Sequence, residues 1–387
     1  MQALTRTIVI PLSLDYTLAM GEFSAASGAI LGVSLPAQYI GYRIGDWMWT
    51  DATIAQSDYH RRTLVVCHLM ALLSYLGLTL LLQSAEHSGL ASRRTFWIAL
   101  CVQVAGTIFG SVSSRLWRYV RNQASTEEKY DPDTALCAGL LCGPLCAACM
   151  VHQIQSLTPV GMMACVFAVV LAGHAVMTAA TAFTILPFSR LEVPPGQGSK
   201  NDGLPLGQDP TTKERLVWNL IIYFYEHNIS VIASECGVVV VLEIIYGWSV
   251  AACALAMFTQ QMGRLLTVKL LATLLNGPQF TPSELLLVAD TIVYSVTSAG
   301  AFPTRDWTEE GKMDEWLQAE WRWQKGHAAP VCSLLVSILI RFLVYKGGRN
   351  SYATFQLVTT FLAMCTVVKA VSLKEDVDNP ELRVPEG

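Results

Sequence analysis

Apolar residues in this chain come in long unbroken stretches, with polar and charged residues gathered between them. Residues 64–83, 159–188 and 230–258 carry almost no charge. A buried helix of a soluble protein rarely stays apolar for more than about 14 residues, whereas crossing a bilayer takes about 20. The pattern predicts an all-α, polytopic transmembrane helical bundle. Nine spans are expected, within a range of seven to ten, at about 24–42, 64–83, 95–113, 134–153, 159–187, 231–258, 283–302, 330–346 and 351–372. Residues 7–23 are apolar but contain Asp15 and Glu22, so this segment is expected either to lie in the interface or to plug the bundle. Residues 213–227 hold Trp218, Tyr223, Phe224 and Tyr225, which suit a membrane–water boundary. They read as an interfacial stretch, a tenth span or the first part of a long sixth.

These spans divide the chain into an N-terminal segment (1–23), a first membrane half (24–188), a polar linker (189–215), a second half (216–373) with an interfacial helix near 307–325, and a polar tail (374–387). The linker is rich in Pro, Gly, Ser and Asp, as a flexible connection would be. Positive charge tests the layout. Arg43, Arg61 and Arg62 lie in the first loop, Arg115, Arg118, Arg121 and Lys129 in the third, and Arg190, Lys200, Lys213 and Arg215 in the fifth; the second has Arg93 and Arg94 and the fourth none. Cytoplasmic loops carry the excess of Lys and Arg. The expected orientation therefore has the N-terminus lumenal and the C-terminus cytoplasmic, in the endoplasmic reticulum or another endomembrane. No cleavable signal peptide is expected, since Asp15 and Glu22 interrupt the first apolar stretch.

Composition agrees. Only 14% of residues are charged and 52% are hydrophobic, and the net charge of −4 excludes the basic footprint of a nucleic-acid binder. Most of the 11 cysteines fall inside apolar stretches, where they act as small hydrophobes rather than as a disulfide framework. Cys137, Cys142, Cys146 and Cys149 share one helical segment with Gly139, Gly143 and Ala147, a pattern for close helix packing rather than for a zinc site. No metal or cofactor is expected. The first loop holds Asp46, Asp51, Asp58 and His60, but in no spacing that defines a metal motif. A Walker A sequence, a His-Glu-x-x-His and a prenyl-diphosphate-ionising aspartate motif are all missing.

Ionisable residues inside a membrane are costly and so mark candidate function. Here they are Asp15, Glu22, His68, His174, Glu235, Glu243, Asp290 and Arg341, with the amide of Gln103. If the opening segment is one helix, Asp15 and Glu22, seven residues apart, share a face. Arg341 is expected either to pair with Asp290 or Glu243 or to take part in chemistry. Buried carboxyls can act as proton donors, because an apolar site raises their pKa towards neutrality. That chemistry would suit an acid-initiated cyclisation of a lipophilic, terpenoid-like substrate in secondary metabolism. Glu22 or Glu235 is then the general acid and Asp15 and Glu243 its partners, with Trp47, Trp49 and Tyr225 lining the site to stabilise a cation.

Asp15-Tyr16, Gly21-Glu22-Phe23, Tyr39-Ile40-Gly41-Tyr42 and Gly45-Asp46-Trp47, in the first tenth or so of the chain, are where it resembles the integral-membrane cyclase-like proteins of fungal terpenoid and indole-diterpene biosynthesis. The resemblance implies a membrane-bound terpene cyclase of isomerase or lyase type that uses embedded acids. The alternative is a transporter or exporter of a small lipophilic compound, in which Glu235, Glu243, Asp290 and Arg341 form a proton relay or substrate site. A receptor or a scaffold without chemistry is a third class. The expected partners are the lipid bilayer and a lipophilic small molecule, with no nucleic acid.

Overall fold

A computed structural model describes residues 2–48, 57–89, 91–112, 132–154, 156–183, 210–275 and 315–378. All regular elements among them are helical: α1 (Gln2–Val9), a short 3-10 turn (Ile10–Leu12), α2 (Ser13–Ala19), α3 (Ser24–Gly32), α4 (Ser34–Met48), α5 (Ser57–Ser88), α6 (Arg93–Val112), α7 (Pro132–Gln153), α8 (Pro159–Phe183), α9 (Pro210–Ile244), α10 (Val250–Leu275) and α11 (Glu315–Asp378). The protein is a polytopic transmembrane helical bundle. Among the described residues five helices are long and apolar enough to cross a membrane: Arg62–Ser88, Arg93–Val112, Pro159–Ala179, Val217–Ile244 and Gly326–Thr366. Leu69, Leu73, Leu80, Leu335, Leu339 and Phe342 point outward, as lipid-facing side chains do. The expected span at 283–302 and the linker to residue 209 lie outside the described residues.

The opening segment enters the bundle. Ile8, Val9, Ile10, Leu12, Leu14 and Tyr16 are all buried. Pro11 has no N–H to give and its ring crowds the preceding turn, so the rod passes through a 3-10 turn between α1 and α2. It ends in a Schellman motif. Glu22 N–H donates to Thr17 O at 3.1 Å and Gly21 N–H to Leu18 O at 3.0 Å, with Gly21 at φ 76. Glu22 is therefore beyond the helix and does not share a face with Asp15, contrary to the single-helix expectation.

The expected span 231–258 is two helices. α9 ends at Ile244, a turn follows, and the Ser249 hydroxyl caps α10 by accepting from Ala252 N–H at 3.3 Å. Ser92 and Thr158 cap α6 and α8 in the same way. Likewise α11 is a hairpin. Gly348 (φ 62, ψ −157) breaks it into arms 315–347 and 349–378, a backbone state open to glycine. Both arms lie along α9, since Cys236 meets Ser337 in the first arm and Ser230 donates to Gln356 in the second.

Small residues let the rods approach. A Cβ on Gly28 would stand 2.5 Å from Ser337 O, and one on Gly32 would stand 2.9 Å from Ser333 O. This four-residue glycine spacing brings the α3 and α11 backbones together in antiparallel order. On α7, Gly139 and Gly143 face Ala3 and Thr7 of α1, and Ala147 is buried, while Cys142 and Cys149 are exposed.

Candidate functional site: a buried polar seam

The opening rod, α9 and the first arm of α11 meet along a seam that carries Arg6, Glu235 and Arg341. At one level Arg6 Nη2 donates to Glu235 Oε2 at 2.5 Å, with side chains 14% and 4% exposed. Gln261 of α10 donates to the other Glu235 oxygen at 3.5 Å, and Gln260 donates to Ser234 at 2.5 Å. Further along, Cys236 and Ser337 lie 3.4 Å apart. One turn beyond Ser337 is Arg341, completely buried. It donates from Nη1 to Ser27 Oγ and from Nη2 to Ser13 Oγ, each at 2.9 Å. Both serine hydroxyls donate to backbone carbonyls, of Ser24 and Ile10, which leaves their lone pairs aimed at the guanidinium.

Arg341 therefore does not form the expected ion pair with Glu243, whose two oxygens are buried without a donor among the described residues. The close crossing at Gly28 and Gly32 brings Ser27 onto Arg341 instead. Asp290, the other expected partner, lies outside the described residues. Glu243 instead has the Asp15 carboxyl within hydrogen-bonding reach, with Arg341 near enough to act on it. Eight residues of α9, about 12 Å of rise, separate Glu235 from Glu243. Arg6 and Asp15 meet them in the same order, so the opening rod and α9 run side by side in one direction.

Beside the Arg6–Glu235 pair is a small cavity lined by Thr5, Arg6, Ser34, Gln38, Tyr75, Gly106, Thr107, Gly110 and His174. Its free space, about 10 Å³, takes roughly one water. Tyr75 stacks on His174 with centroids 4.9 Å apart. Thr107 donates to Gln103 O, so Tyr75 OH is the donor in its 3.1 Å contact with Thr107. His174 Nδ1 and both nitrogens of the neighbouring His68 are buried without a partner among the described residues. The wall mixes apolar surface with a few polar groups, and Arg6 is balanced by Glu235.

The other candidate residues are scattered. Glu22 is buried at one end of the bundle, where it accepts from Trp97 Nε1 at 3.0 Å. Trp47 is 81% exposed at the opposite end of α4. Trp49 lies outside the described residues. Tyr225 donates to Gln324 at 2.9 Å, near Tyr39, which bonds His327 Nε2 at 2.9 Å. Residues 315–325 form the first turns of α11 rather than a separate helix. Among the described residues no cluster of three metal-ligating side chains occurs. Sequence reasoning missed Arg6, Gln38, Tyr75 and Gln261. Gln38, a polar residue inside an expected span, was the one with a visible signal.

No protein-family model and no curated protein matches the sequence. Solved structures do. The crystal structure of the nucleoside transporter NupG overlaps with a TM-score of 0.58 at 12% identity, covering 96% of this chain and 98% of that one. The chain shares its overall fold with that structure. A bacterial homolog to the human lysosomal transporter Spinster, in an inward-facing and unoccupied conformation, gives a TM-score of 0.45 at 12% identity over 98% of this chain and 80% of that one. The NupG match overturns the reading as a terpene cyclase or isomerase of secondary metabolism, and with it the resemblance to membrane cyclase-like proteins. Embedded carboxyls and abundant aromatics are shared by both kinds of protein, and here Glu235 is in an ion pair rather than held as the neutral acid an alkene would need.

Proposed function

We propose that this protein carries a small organic molecule across a membrane, with Arg6, Gln38, Tyr75 and His174 facing the substrate. The observation that carries this reading is a small cavity, bordered by Arg6, Gln38, Tyr75 and His174 beside the Arg6–Glu235 ion pair, set inside a bundle with the end-to-end fold of a nucleoside transporter. A purely lipophilic compound would leave the Gln38 amide and the His174 imidazole without a partner, at a cost of about 1–3 kcal/mol for each one stranded. The reading therefore favours a molecule with several hydrogen-bonding groups, and a nucleoside is the first to test.

Purified protein in liposomes should take up radiolabelled uridine above the level of empty liposomes, and Gln38→Ala should cut uptake at least tenfold at normal protein yield. If neither nucleosides nor a panel of sugars and carboxylates enters, the transport reading fails. The end of the bundle bearing Arg43 and Arg215 is inferred to face the cytoplasm. The opening rod runs in the same direction as α9, so its N-terminus is inferred to point to that side, in place of the lumenal side expected from loop charge alone. A single cysteine at position 2 of a cysteine-free variant should then resist impermeant thiol reagents in intact cells.

A further inference from the structure

The Asp15 carboxyl of α2 lies near that of Glu243 in α9, and neither Glu243 oxygen, both buried, receives a donor from any described residue. Two ionised carboxylates have only lone pairs to offer one another, and at this separation they repel strongly where water is scarce. A single proton resolves both problems: one carboxyl donates, the other accepts. The local charge count agrees. Among the described residues, the charged or titratable groups facing the pair are Arg341 of α11 and the Cys253 thiol of α10. Arg341 supplies one positive charge and is already committed to Ser13 and Ser27. It balances one carboxylate and leaves the second in need of a proton. The other buried arginine cannot help, because Arg6 is spent on Glu235.

We propose that Asp15 and Glu243 form a proton-binding site that holds one shared proton in this closed bundle. The site is distinct from the cavity and sits on the same opening rod that carries Thr5 and Arg6 to the cavity wall, so release of the proton would push α9 away from a rod that lines the cavity. This deepens the transport reading by giving the carrier a place to bind a proton, and it rests on that reading for its physiological use.

The test is independent of any substrate. Dicyclohexylcarbodiimide reacts with protonated carboxyls in apolar surroundings, and mass spectrometry locates the adduct. Native protein should be labelled at Asp15 or Glu243 at neutral pH, and labelling should fall severalfold at strongly alkaline pH. In infrared difference spectra, the carboxylic C=O band of the native protein should vanish in both Glu243→Gln and Asp15→Asn, since each leaves a lone carboxylate beside Arg341. Absence of labelling at both residues, or a band that survives either substitution, overturns the shared proton. Labelling requires no variant to fold, and uridine uptake measured in parallel shows separately whether the transport reading stands.

Discussion

Among the described residues two arginines are held inside this membrane bundle, and the protein holds them in different ways. Arg6 reaches Glu235 directly, at 2.5 Å, beside the cavity. Arg341 is more deeply buried and rests on two serine hydroxyls, with its nearest carboxyls, Glu243 and Asp15, kept off its hydrogen-bonding edge. An ion pair satisfies charge and geometry at one point, so either partner alone becomes a liability. The serine cradle satisfies the geometry locally and leaves the charge to be balanced across a gap. That arrangement leaves the carboxyls free to bind something else, which a tight salt bridge would prevent.

The largest expected effect is at the cradle. Arg341→Leu strips the Asp15–Glu243 pair of its cation and leaves Ser13 and Ser27 with empty lone pairs in the interior. Breaking a buried charge set in this way costs about 3–5 kcal/mol. Detergent-extracted variant should lose its monodisperse peak or melt far below the native protein. Wild-type behaviour would mean that Arg341 bears no load and that the contrast with Arg6 is empty. At the second arginine, Glu235→Gln alone strands the Arg6 guanidinium, for about 3 kcal/mol. Adding Arg6→Gln should restore much of that stability while uptake stays lost. A double-mutant cycle should give a coupling of about 2 kcal/mol or more; additive losses would show that the pair is a proximity without energetic weight.

The bundle itself was legible because its cause is local: a bilayer dictates apolar length, and α5, α6 and α8 follow the expected spans closely. The turn after α9 was hidden because Ile245, Tyr246 and Trp248 keep the chain apolar through it, and interfacial aromatics are tolerated there. The seam was half legible. Glu235, Glu243, Asp15 and Arg341 stood out as costly, but their partners depend on contacts hundreds of positions apart, such as the 229 residues between Arg6 and Glu235. Arg6 itself went unnoticed because it precedes the apolar run and reads as a flanking charge. Function was the least legible. The same buried acids could serve a cyclase or a carrier, and the fold of the whole chain, rather than any residue, set the cyclase aside.

The smallest effect discriminates most finely between the two modes of holding an arginine. Ser27→Ala removes the acceptor of Arg341 Nη1 and little else, since the Ser27 hydroxyl otherwise donates within its own helix to Ser24 O at 2.6 Å. A hydrogen bond between a charged donor and a neutral acceptor in a membrane interior is worth about 1–2 kcal/mol. Thermal unfolding of the variant should shift by a few degrees, and Ser13→Ala should behave alike. The two serines share one guanidinium, so the double variant should depart from the sum of the singles. Additive or absent shifts, together with a severe Arg341→Leu, would mean that the distant carboxyls rather than the hydroxyls hold the arginine, and Arg341 would then differ from Arg6 only in the length of its ion pair.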